Sequence, residues 1–97
     1  MMNFQFEWDN HKADINIKKH GISFEEAKTV FNDPLGYIFD DEWHSIDEWR
    51  EIIIGNSENN RLLLVYFTEK AKGAIRIFSS RLATKKERRD YENNTSF

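Results

Sequence analysis

The sequence predicts a single α+β domain. Its expected antiparallel sheet combines a three-stranded meander with an N-terminal strand, with two N-terminal helices packed on it and a C-terminal helix closing the chain. Three observations carry this reading. The 97 residues leave room for one compact domain, 1–97, and not for two. Two helical segments with start and stop signals precede residue 35. Three strand-like runs separated by polar turns then occupy residues 50–81, the spacing of a meander. Such a chain buries a modest core, and with eight Phe, three Trp and three Tyr that core must be largely aromatic.

Phe4, Phe6 and Trp8 alternate with Gln5 and Glu7, the period of a half-buried strand. Asp9 is placed to cap a helix beginning at Asn10. Gly21 suits the left-handed position that ends it, with Ile22 expected to reach back to Ile17. Ser23-Phe24-Glu25-Glu26 reads as a capping box opening a second helix, whose stripe is Phe24, Ala27, Val30 and Phe31. Asn32-Asp33-Pro34 ends it, because a residue before proline is pushed out of the helical region. Leu35 to Phe39 suggests a short strand, and Asp40 to Glu48 an exposed acidic connection. Arg50 to Gly55 is a strand and residues 56–60 a turn. Arg61 to Thr68 is apolar on both faces and therefore central in the sheet. Glu69 to Gly73 turns the chain into a last strand, Ala74 to Arg81. Thr84-Lys85-Lys86-Glu87 is a second capping box, starting a helix through Glu92, with residues 93–97 expected to fray.

The net charge of −3 conceals a division. Residues 1–60 hold 5 Lys/Arg and 13 Asp/Glu, and residues 61–97 hold 9 and 4, so the two parts carry −8 and +5. Such asymmetry points to a polyanion-binding face beside an acidic one, or to two ordinary solvated surfaces. With no cysteine, disulfides and thiol chemistry are excluded, which suits a cytoplasmic protein. The N-terminus does not read as a signal peptide, and the longest apolar runs are too short to span a bilayer.

Arg76, flanked by Ile75 and Ile77, is expected on the open sheet face with Ala74, Phe78 and Ser80, meeting either an anion or a cross-strand carboxylate such as Glu51. Lys85 and Lys86 stand in the first turn of the last helix, where the helix dipole disfavours cations and phosphate is favoured. Arg88 and Arg89 follow, Arg81 precedes them, and Arg88 shares a helix face with Tyr91. These charges make a phosphate track or a solvated helix. His20 lies at a helix end with Lys19 beside it, where it either complements the dipole or transfers protons. Asp40, Asp41, His44 and Asp47 have the donor types of a metal site but no recognised spacing. No glycine-rich phosphate loop is present.

Taken together, several segments resemble a known family. They are Phe6-Glu7-Trp8-Asp9; Asn16-x-x-Lys19-His20-Gly21 followed by Ser23-Phe24-Glu25-Glu26-Ala27 and Phe31-x-Asp33-Pro34; Arg50-x-x-x-Ile54-Gly55; Arg61-Leu62-Leu63; and Ile75-Arg76-Ile77-x-Ser79-x-Arg81-x-Ala83-Thr84-x-x-Glu87-Arg88-x-x-Tyr91. In this order they look like the BrnT family, the toxin half of bacterial type II toxin–antitoxin pairs, over nearly the whole chain. The resemblance implies a RelE-like fold, ribonuclease activity without a metal or other cofactor, and a BrnA-type antitoxin partner, in a dimer or a toxin–antitoxin heterotetramer. Ser80 stands where the family usually has Ala, and Trp49 where it has a shorter polar residue. With RNA as substrate, Arg76 and Arg81 are expected to stabilise charge, and His20 or Tyr91 to move protons. Lys19, Arg61, Lys85, Lys86, Arg88 and Arg89 are expected to hold phosphates. A non-catalytic module binding RNA or antitoxin, and a metal-dependent enzyme using the acidic connection, are the competing readings.

Overall fold

A computed structural model describes residues 4–44 and 48–95. The strands are β1 (Gln5–Glu7), β2 (Tyr37–Asp40), β3 (Glu51–Asn56), β4 (Leu62–Ala71) and β5 (Ala74–Leu82), and the helices α1 (Asn10–His20), α2 (Phe24–Lys28) and α3 (Lys85–Thr95). Short 3-10 turns follow α2 at Thr29–Asn32 and β2 at Glu42–His44. The five strands form one sheet in the order β1-β5-β4-β3-β2. The expected meander is its centre, β4 is its middle strand, and β2 adds an outer edge. The sheet is mixed rather than purely antiparallel, because β1 runs parallel to β5. No helix among the described residues is long and apolar enough to cross a membrane.

The capping signals act as the side-chain chemistry requires. The Asp9 carboxylate accepts from Lys12 N–H at 3.0 Å, and the Ser23 hydroxyl from Glu26 N–H at 3.1 Å. Gly21 ends α1 at φ 71°, and its N–H donates to Ile17 O at 2.8 Å. Ile22 drops into the core while Ile17 stays exposed, so the expected Ile17–Ile22 pairing gives way to burial of Ile22 alone. The second predicted helix is split: after five α-helical residues it tightens into the 3-10 turn. The last helix continues to Thr95, past the predicted stop at Glu92. Asp40 to Glu48 is not simply an exposed connection, since Asp41 is buried.

The sheet has two apolar clusters on opposite faces. On one, Ile53, Leu63, Val65, Phe67, Ile75 and Ile77 pack against Ile22, Phe24, Ala27 and Val30 of the α2 region, with Phe4, Phe6 and Phe31 joining from the side. On the other, Ile52, Ile54, Leu62 and Leu64 lie beneath Tyr91 of α3. Asp33 ties this second layer down. Its carboxylate accepts from Asn56 N–H at 2.7 Å, from Leu35 N–H at 2.9 Å and from the Tyr91 hydroxyl at 2.8 Å. Gly55 is needed beside it: a Cβ there would meet Val30 at 3.0 Å and the Asp33 carboxylate at 3.1 Å.

Candidate functional site: a cationic cleft on the open sheet face

Beyond the reach of α3, the second sheet face opens into a cleft of about 440 Å³. Its lining is Lys12, Lys19, His20, Asp41, His44, Arg50, Tyr66, Phe78, Ser79 and Arg81. Four permanent cations and two imidazoles therefore face one space with a single carboxylate.

Asn16 positions the helical side of the cleft. β1 ends opposite Arg76, leaving the edge of β5 unpaired from there on. The Asn16 amide takes the place of a strand: its oxygen accepts from Ser80 N–H at 3.1 Å, and its nitrogen donates to Ser80 O and Ile22 O, both at 2.9 Å. Lys12, Lys19 and His20 lie four residues before and three and four after Asn16, so anchoring Asn16 brings all three onto the same face of α1. In the family motif recognised from sequence, Asn16 is thus a bracket for the residues around it.

A bulge positions the β5 side. Tyr66 pairs with Ser79 but Phe67 pairs with Ile77, so Phe78 is the extra residue. Phe78 and Ser79 consequently both line the cleft, and Ser80 turns to the helical side, fully buried, its hydroxyl donating to Leu64 O at 2.9 Å. The simple alternation that placed Ser80 beside Arg76 fails at this bulge. The Arg50 guanidinium lies 4.0 Å from the centre of the Phe78 ring and the Lys12 ammonium 5.7 Å from it, both within cation–π range.

The acidic connection supplies the far wall. His44 Nδ1–H donates to both oxygens of buried Asp41, at 3.0 and 2.9 Å, and the ring meets Tyr66 edge-on with centroids 6.3 Å apart. The carboxylate fixes the orientation of the imidazole, whose other nitrogen remains for chemistry. Arg81 is held as firmly. Its two terminal nitrogens donate to the two carboxylate oxygens of Glu87, at 2.7 and 2.8 Å. Glu87 also accepts from Thr84 N–H at 2.8 Å, and Thr84 returns the bond by accepting from Glu87 N–H. The predicted capping box is therefore real, and its carboxylate also orients an arginine. Arg81 first, then Thr84, holds the Glu87 carboxyl down to about 2 against the opposing effect of burial. The same pair, with Tyr66 adding to it, raises the Arg81 guanidinium.

Of the residues expected to serve the site, the structure brings together Lys19, His20 and Arg81. Arg76 pairs with Glu7 of β1 at 2.6 Å rather than with Glu51, and lies outside the cleft lining. Tyr91 is buried at the opposite end of the face, stacked on Tyr37 and donating to Asp33. It does not share the solvated side of α3 with Arg88, which is exposed. Arg61 joins Glu26 and donates to Gly21 O, pinning the β3–β4 turn to α2. Lys85, Lys86, Arg88 and Arg89 are exposed along α3, outside the cleft. Lys12, Arg50, Tyr66 and the Asp41–His44 pair were not expected in the site. The period-two pattern carries a signal for two of them: Arg50 falls on the face of Ile52 and Ile54, and Tyr66 on that of Leu62 and Leu64. As for a metal, no group of three or more His, Asp or Glu among the described residues is placed to hold one. Asp41 and His44 bond each other, Asp40 pairs with Glu51 across the ladder, and Asp47 lies outside the described residues.

The family model described as the ribonuclease toxin BrnT of type II toxin–antitoxin systems matches residues 8–87. The chain belongs to the BrnT family. Among solved structures, it is similar to the crystal structure of the Brucella abortus ribonuclease toxin, BrnT, at 23% identity and a TM-score of 0.66, over 84% of this chain and 99% of that one. At that identity the likeness establishes the fold, the RelE-like α+β arrangement of BrnT. No curated protein matches the sequence. The BrnT match spans all ten cleft residues and ends at Glu87, the carboxylate that holds Arg81, four residues before Tyr91.

Proposed function

We propose that this chain is a metal-independent endoribonuclease, the toxic half of a type II pair neutralised by a BrnA-type antitoxin in the cytoplasm. The observation that carries the reading is the cleft, which gathers Arg81, Arg50, Lys12 and Lys19 around two imidazoles in a chain of the BrnT family. RNA supplies its own nucleophile. The 2′-oxygen attacks the adjacent phosphorus, the bond to the 5′-oxygen breaks, and the products are a 2′,3′-cyclic phosphate and a free 5′-hydroxyl. One of His20 and His44 takes the 2′-hydroxyl proton and the other protonates the departing 5′-oxygen. Asp41 keeps His44 aimed. Arg81, oriented by Glu87, with Arg50 beside it, balances the charge that builds on the phosphoryl oxygens. Lys12 and Lys19 hold flanking phosphates, and Tyr66 and Phe78 offer ring faces to an unstacked base. Arg76, Lys85, Lys86, Arg88 and Arg89 extend the cationic track outside the cleft. Tyr91 takes no part in proton transfer, because its hydroxyl is committed to Asp33.

The test is purified protein with single-stranded RNA in EDTA, with product ends analysed. Cleavage leaving 2′,3′-cyclic phosphates, lost in both His20→Ala and His44→Ala, is the expected result. Binding without cleavage would assign the surface to a non-catalytic module, and cleavage abolished by EDTA would require a metal. An antitoxin segment covering this cleft is expected to be acidic, so its affinity should fall steeply with salt.

A further inference from the structure

The other edge of the sheet carries a surface of opposite character. Asp41 N–H donates to Arg50 O at 2.9 Å, and Asp41 and Arg50 continue the β2–β3 register. Alternation in an antiparallel ladder then turns the main-chain N–H and C=O of Ile38 and Asp40 outward, and β2 is the terminal strand. Edge strands of soluble proteins are blunted by shortness, by charge, or by lysine, proline or a bulge. β2 reads Tyr-Ile-Phe-Asp; it is short and charged only at Asp40, and has none of the last three devices. Its side chains are apolar on both sides: Ile38 is 50% exposed and Phe39 40%. Ile38 borders a groove of about 390 Å³ on the helical side, lined also by Phe4, Phe31, Gly36 and Ile53. Phe39 stands beside Tyr37 on the other side, and Trp43 follows at 90% exposure.

The rim is acidic. Asp40 sits directly opposite Glu51, a like-charge pair that costs stability, and Glu42 and Glu48 are exposed nearby in sequence. Burial, then Asp40 and Glu69, raises the Glu51 carboxyl. A cation arriving from outside would relieve that repulsion.

We propose that β2 is a strand-addition site for an extended segment of a partner protein in which apolar residues alternate with lysine or arginine. The main chain of the segment pairs with Ile38 and Asp40, its apolar side chains cover Phe39 on one face, and its cations meet Asp40 and Glu51 on the other, the face that Ile38 shares. Main-chain pairing supplies affinity and alternate side chains supply selectivity. A second copy of this chain is the poorer occupant, since pairing β2 with itself sets one acidic rim against another. The site is independent of the ribonuclease reading, and its ligand has the charge opposite to that of the cleft's.

The test is heteronuclear NMR of the full chain titrated with the end-capped peptide Lys-Val-Lys-Ile-Lys-Val-Lys, with a control carrying Glu at every Lys, and sedimentation of the chain alone. Saturable shifts of the Ile38 and Asp40 amides are expected, with a Kd below about 1 mM and at least about tenfold weaker binding by the Glu peptide. Asp40→Lys and Ile38→Lys, both exposed positions whose folding is checked by circular dichroism, should each weaken binding about tenfold, and added salt should weaken it further. No saturable shift at these amides up to about 1 mM, or equal binding of the Glu peptide, would overturn the proposal. Self-association lost in Ile38→Lys would also overturn it, giving the edge to a second copy.

Discussion

The two ends of one sheet face have opposite fates. Toward one end, Ile52, Ile54, Leu62 and Leu64 are sealed by Tyr91 of α3. Toward the other, Arg50 just before β3, Tyr66 of β4 and Ser79 of β5 face an open cleft. Along β3 and β4 the strand period holds and the residue types change from aliphatic to cationic and aromatic, while on β5 the bulge at Phe78 shifts the alternation, and there the covering helix stops. Arg81, cross-strand from Leu64, stands at the boundary, and Glu87 clamps it to the start of the sealing helix. The comparison also sorts the arginines. Arg61 and Arg76 are committed to Glu26 and Glu7, which makes them fastenings, whereas Arg81 is fastened and still faces the cleft.

Breaking the sealed end should give the largest effect. Tyr91→Ala removes a buried ring and the bond to Asp33, and is expected to cost about 3–5 kcal/mol in denaturant unfolding. Tyr91→Phe should lose only about 1 kcal/mol, separating the ring from its hydroxyl. At the open end, Arg81→Ala should lower the RNA cleavage rate by about two to three powers of ten, read at a temperature where the variant is folded. The clamp between the ends is sharpened by pH. The Glu87 carboxyl lies at about 2 in the folded chain against an ordinary value of 4.5, so its stabilising contribution is full above pH 4.5 and is lost as pH falls toward 2. Unfolding followed across that window should show a loss of about 2–3 kcal/mol that Glu87→Gln no longer shows. Asn16→Ala leaves Ser80 without its edge partner and should cost about 2 kcal/mol, with cleavage falling as Lys12, Lys19 and His20 lose their anchor. Asp41→Asn should slow cleavage by about tenfold with the melting temperature little changed.

Much of the sealed architecture was legible in the sequence because its causes are local. Asp9, Ser23 and Thr84 announce helix starts through hydrogen bonds spanning three residues, and the β3–β5 meander follows from turn spacing. β1 was legible as a strand, but its parallel pairing with β5 depends on contacts nearly seventy residues apart. The cleft was only partly legible. Lys19, His20 and Arg81 came from a motif, whereas Lys12 enters because Asn16 pairs with a strand edge sixty-four residues away. Ser80 was misplaced because one bulge residue, Phe78, reverses the alternation after it. From sequence His44 looks like part of a solvated acidic loop, because nothing local to residues 40–48 shows that Asp41 is buried. Tyr91 entered the expected site through its motif, and only the packing of α3 shows that it belongs to the seal.

On the proposed reading, the open end performs the chemistry and the fastened arginines do not. The most direct measurement compares RNA cleavage in EDTA by the wild-type chain, Arg81→Ala and Arg61→Ala, each at equal folded fraction. Arg81→Ala is expected to lose at least about a hundredfold while Arg61→Ala cleaves at nearly the wild-type rate. Equal losses in the two variants, or an undiminished rate in Arg81→Ala, would contradict it.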